Sequence, residues 1–143
     1  MKRIAFLILL FLLLPSYSLA KSFGDYQGAV YIRNYDGETI TFNLPGLHPI
    51  IGEKISIRVN GIDTPEIKGN CEKEKYDAQQ AKEMVANILK DAEQITLKNM
   101  KRGKYFRIAA DVIVDGENLA DILIETGVAV RYDGGKKAHK WCE

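Results

Sequence analysis

Carboxylates and arginines recur over three short segments of this chain. They are Asp36-Gly37-Glu38-Thr39, then Arg58 followed by Asp63-Thr64-Pro65-Glu66, then Lys104-Tyr105-Phe106-Arg107. Asp36, Glu38 and Asp63 are candidates to hold a hard cation, Ca2+ or Mg2+, since both take oxygen ligands. Glu66 is a candidate base that deprotonates or orients a water. Arg58 and Arg107 can each offer phosphate a planar fork of donors, which lysine cannot. A phosphodiester resists attack because nucleophile and phosphate are both electron-rich. Neutralising the phosphate, placing a water and stabilising the charge that builds on phosphorus are what such a set supplies. Each piece also has a purely structural reading. Asp63 or Thr64 can cap a helix that begins at Pro65, with Glu66 closing a capping box. Asp36-Gly37 is first of all a turn, and Arg107 at a strand start can be a solvated charge.

The elements that must position these residues follow from periodicity. Gly28 to Arg33 and Thr39 to Leu44 read as strands on either side of Asp36-Gly37, a common hairpin signal. Lys54 to Val59 alternates, with Ile55, Ile57 and Val59 on one face, so Arg58 points away from that apolar face. From Glu72 to Lys90 the period becomes helical, and Ala81, Met84, Val85, Ile88 and Leu89 form the core-facing stripe. Ile95 to Met100 and Arg107 to Val114 read as a strand pair around Lys101-Arg102-Gly103. Leu119, Ile122 and Leu123 mark a short helix capped by Gly127. The order β-β-β-α-β-β-α predicts an α+β, mainly β fold: a five-stranded OB-type Greek-key barrel with two or three helices packed against it. A generic α+β domain would give a similar pattern.

The N-terminus reads as an export signal over residues 1–20. Lys2 and Arg3 precede the apolar run Ile4 to Leu14, Pro15 breaks it, and Ser18-Leu19-Ala20 offers small residues for cleavage. Eleven apolar residues are short of the roughly 20 that span a bilayer; an uncleaved anchor is the alternative. Residues 21–143 then form one domain, expected to be monomeric, exported to a periplasm or secreted, and free of the membrane after trimming. Trimming leaves 18 basic residues (20 − 2) against 19 acidic ones, not the global positive charge of a protein that coats nucleic acid. Basic side chains gather locally, in Lys98 to Arg107 and in Arg131, Lys136, Lys137 and Lys140. These are patches for a polyanion or solvated faces. The two cysteines, Cys71 and Cys142, are an even count in an exported chain and suggest a disulfide, with free thiols or a metal pair as weaker alternatives. Tyr132 is either a stacking platform for a base or a core tyrosine at the turn Asp133-Gly134-Gly135.

Taken together, Asp-Gly-acid-Thr, an arginine separated by four residues from Asp-Thr-Pro-Glu, and Lys-Tyr-x-Arg resemble the thermonuclease (staphylococcal nuclease-like) family, from about Tyr31 to Ala129. The resemblance implies a calcium-dependent endonuclease on an OB barrel that cleaves DNA and RNA with little sequence preference and leaves 3′-phosphate ends. Single-stranded or locally unpaired substrate is favoured. It implies Glu38, Asp63 and the Thr64 carbonyl as metal ligands, Glu66 as general base, Arg58 and Arg107 as the phosphate-stabilising pair, and Lys104 and Tyr105 as substrate contacts. Two positions depart from the family pattern: Glu38 stands where Asp is usual, and Phe106 where Gly is usual. A non-catalytic OB module that binds nucleic acid is the alternative. A third reading is a disulfide-stapled barrel that binds an oligosaccharide or a protein.

Overall fold

A computed structural model describes residues 22–103 and 107–143. The expected export signal and Lys104, Tyr105 and Phe106 lie outside the described residues. Five strands make the body of one sheet, in line with the five expected. They are β2 (Val30–Asn34), β3 (Thr39–Asn43), β4 (Ile55–Val59), β6 (Ile95–Arg102) and β7 (Ile108–Val114). Short strands β1 (Tyr26–Gln27) and β8 (Glu117–Asn118) extend it, and β5 (Ile62–Asp63) pairs with β9 (Val130–Arg131) in a separate small sheet. The main order is β1-β6-β7-β4-β3-β2, with β8 on β7. The sheet curls into a half-barrel with α1 (Pro49–Gly52), α2 (Glu72–Asp91) and α3 (Leu119–Glu125) around it, an OB-like α+β fold.

Alternation along the strands builds the core. Ile40 and Phe42 of β3, Ile57 and Val59 of β4, Leu97 of β6 and Val112 of β7 are all essentially inaccessible. Val85 and Leu89 of α2 and Leu119 and Leu123 of α3 close over them, with Met84 and Ile88 partly buried at the margin. One pairing is parallel: β4 runs beside β7 with Arg58 opposite Ala109. The others in the sheet are antiparallel, and Thr39 lies opposite Arg58. Arg58 therefore sits between the strand that follows Glu38 and the strand that follows Arg107. Gly127 ends α3 with a left-handed φ of 77°, the cap expected of it.

One local reading of the sequence needs correction. Asp63-Thr64-Pro65-Glu66 starts no helix: α2 begins at Glu72, and its N-cap is Cys71, whose sulfur accepts from Glu74 N. The structural alternative for the acidic segment thus falls away. The Asp36-Gly37 turn does join β2 to β3 as expected, with the φ of Gly37 outside the left-handed range. Its requirement is space. A Cβ there would stand 2.9 Å from Thr64 Cγ2 and 3.1 Å from Ala81 Cβ. The turn is wedged between the acidic loop and α2, and this close approach sets Glu38 beside Asp63. Elements of two to four residues, such as α1, β5 and β9, are too short for periodicity to announce.

Candidate active site

The turn between β2 and β3 is built by Asp36, whose Oδ1 accepts from Glu38 N at 2.9 Å and Thr39 N at 2.7 Å. This local bonding suits aspartate. It turns the Glu38 side chain inward, where Oε1 receives a hydrogen bond from Arg58 Nη1 while Oε2 is buried without a partner among the described residues. Burial pushes the Glu38 carboxyl up from its usual 4.5 to about 7. The Arg58 hydrogen bond and charge oppose that rise, and the charges of Asp36 and Asp63 add to it. Arg58 also donates from Nη2 to the Ile62 carbonyl at 3.3 Å, and its guanidinium carbon lies 5.9 Å above the Tyr132 ring. Its direction is therefore fixed from three sides. Tyr132 is itself held by its N–H on the Gly61 carbonyl at 2.9 Å and its hydroxyl on the Gly135 carbonyl at 2.7 Å.

Asp63 ends β5 and is almost fully buried. Its Oδ2 accepts from Trp141 Nε1 at 3.2 Å, and Lys137 Nζ stands 2.6 Å from its Oδ1 as an ion pair. The same ammonium donates to Glu66 Oε1 at 2.8 Å. Desolvation would lower the Lys137 pKa, but its bonds to Asp63 and Glu66 and their charges win, and it stands above the usual lysine range. Glu66, by contrast, is exposed and open to water. Thr64 is buried beside Asp63 with no partner for its Oγ1 among the described residues.

A cleft of about 810 Å³ brings most of this set together, lined by Glu38, Arg58, Glu66, Arg107, Tyr132 and Lys137. Arg107 is exposed at the rim. It lies two residues before Ala109, the partner of Arg58, so an extended chain puts both arginines on one face of the sheet. An adjoining cavity of about 500 Å³ shares Tyr132 and Lys137 and reaches Asp63. The donors around Glu38 and Asp63 are oxygens, one carboxylate oxygen is buried unpartnered, and neighbouring acids repel one another. That set fits a hard divalent cation.

Three supporting residues were not singled out from the sequence. Lys137 is one member of a basic cluster in the sequence, and nothing local to Trp141 marks it as a partner of the acidic loop. Glu74 had no assigned role, though it stands three residues after a helix-capping position, where a capping acid belongs. Its carboxylate is buried and accepts from Asn70 N at 2.8 Å and Glu66 N at 3.4 Å, so it shapes the loop that carries Glu66. The end of the chain returns here through a Cys71–Cys142 disulfide with Cα atoms 6.0 Å apart.

The family model of staphylococcal nuclease homologues matches residues 56–141, a stretch that includes Arg58, Asp63, Glu66, Arg107, Tyr132 and Lys137. No curated protein matches the chain.

Proposed function

The chain belongs to the family of staphylococcal nuclease homologues, and from that premise we propose that it is an exported, metal-dependent endonuclease. It hydrolyses phosphodiester bonds of DNA and RNA and leaves 3′-phosphate ends. The observation that carries this reading is one cleft in which two arginines face an acidic cluster. Glu38, Asp63 and the Thr64 carbonyl would hold Ca2+, or less suitably Mg2+, which when bound supplies positive charge to the phosphate. Calcium's flexible coordination suits the longer Glu38 better than the stricter octahedron of magnesium. Glu66 reaches solvent from the cleft edge and takes the proton of the attacking water. Arg58, oriented by Glu38 and Ile62, and Arg107 donate to the phosphate oxygens, more strongly as charge builds on them. Tyr132 offers the neighbouring base a stacking face, and Lys104 and Tyr105 are further substrate contacts. The N-terminal signal pattern and the disulfide support an oxidising destination, periplasmic or extracellular.

The test incubates mature protein with single-stranded DNA and with RNA, in Ca2+, in Mg2+ and in chelator. Cleavage should require the metal and leave 3′-phosphates. Glu66→Gln should cost about 10²–10⁴ in rate, and Arg107→Ala about 10²–10³. Degradation indifferent to chelator and to both substitutions would overturn the reading. Binding without cleavage in every metal would favour a non-catalytic nucleic-acid module.

A further inference from the structure

The C-terminal segment does more than close the fold. It is fixed beside the acidic loop by the Cys71–Cys142 disulfide, by Trp141 Nε1 on Asp63 Oδ2, and by Lys73 Nζ on the Trp141 carbonyl at 3.1 Å. Those ties deliver one ammonium, that of Lys137, to two carboxylates at once: 2.6 Å from Asp63 Oδ1 and 2.8 Å from Glu66 Oε1. Asp63's side chain is only 3% exposed, so its charge demands a counter-ion whenever no other cation is near. Oxygens bound this closely by an ammonium cannot also ligate a cation at about 2.3–2.6 Å from the same side. The Lys137 side chain is 41% exposed and has a flexible four-carbon stem, so it can swing into solvent while the anchored segment stays in place.

We infer that Lys137 is a resident counter-cation of the Asp63–Glu66 carboxylate pair, displaced when a divalent metal binds, and that it thereby sets the metal affinity of the site and frees Glu66 only in the loaded protein. This rests on the reading of Asp63 as a metal ligand. Lys137 acts through the two carboxylates, so it is a positioning residue and not a catalytic one. Its removal has a sign that a merely structural role would not give: the metal-free protein loses an ion pair, yet the metal binds more tightly.

The experiment is calorimetric titration of Ca2+, without nucleic acid, into full-length mature protein and into Lys137→Gln, Lys137→Arg and Asp63→Asn variants. Lys137→Gln should bind Ca2+ about tenfold more tightly than the parent, a change of about 1.4 kcal/mol, and Lys137→Arg should stay near the parent. In parallel, acetylation of Lys137, followed by peptide mass mapping, should quicken severalfold when Ca2+ is added. An unchanged affinity in Lys137→Gln, with Asp63→Asn still weakening binding, would overturn the inference and leave the metal site standing. Affinity indifferent to Asp63→Asn would overturn both.

Discussion

Glu38 offers the sharpest test of the site's electrostatics, because burial is the largest cause of its raised pKa. In the folded protein its carboxyl titrates near 7, against 4.5 when exposed. Between those values the folded state holds a proton that the unfolded state has released, so stability falls as pH rises from about 4.5 to about 7 and is flat beyond. The interval is about 2.5 pH units, at about 1.4 kcal/mol each, so the largest cost is of order 3 kcal/mol at pH 8. Glu38→Gln keeps the length and a hydrogen-bond acceptor for Arg58 but carries no charge to desolvate. The quantity to measure is the difference in unfolding free energy between parent and variant, by urea titration in chelator at pH 4.5, 6, 7 and 8. Relative to the variant, the parent should lose of order 3 kcal/mol across that range, most of it before pH 7. Saturating Ca2+ should shrink the slope, since a cation beside the carboxylate favours its charged form. A difference that stays constant with pH, or grows as pH falls, would refute the assignment of a desolvated carboxylate at this position.

Three further outcomes follow from contacts around the same loop. Gly37→Ala should cost about 1–3 kcal/mol in urea unfolding, the penalty of overpacking, because its Cβ would stand 2.9 Å from Thr64 Cγ2 and 3.1 Å from Ala81 Cβ; an unchanged midpoint would mean the turn is not wedged there. Cys142→Ser should lower stability by about 4 kcal/mol on the chain-entropy account, given a separation of 71 residues, and reductant should do the same to the parent. If reductant leaves the parent's unfolding curve untouched, the bond is not holding the chain end. Glu74→Ala should cost about 1–3 kcal/mol by leaving the Asn70 and Glu66 amides without their acceptor. Hydrogen exchange should quicken at residues 66–70 but not in β6 and β7, and a uniform change across the chain would count against a local role.

Much of this was legible in the residues because the signals are local. Alternation gave β4 and the outward direction of Arg58, and the helical stripe of Ala81, Val85 and Leu89 marked α2 to within a residue at its end. The acids and arginines could be named as candidates because their own types carry the chemistry. What could not be read is what comes from far along the chain. Lys137 meets Glu66 across 71 residues, and Trp141 meets Asp63 across 78. No period or turn rule relates positions so distant. Gly37 shows the limit of a local signal: Asp-Gly marks the turn, while the crowding by Thr64 and Ala81 that demands a glycine there is tertiary.

Arg58 and Lys137, two of the cations lining the cleft, are built for different work, and their donor counts show why. Arginine carries five N–H donors. Arg58 spends one on Glu38 and one on the Ile62 carbonyl, leaving three, with the ring of Tyr132 below its plane. Such a side chain can receive a phosphate without leaving its support, so its contact with Glu38 is a fixture that aims the fork. Lys137 has one ammonium shared between Asp63 and Glu66, the residues proposed to hold the cation and take the proton. On that proposal its contact is one that must break for chemistry to begin. A partly buried, aimed arginine and a half-exposed, exchangeable lysine give the site one positive charge that stays and one that yields.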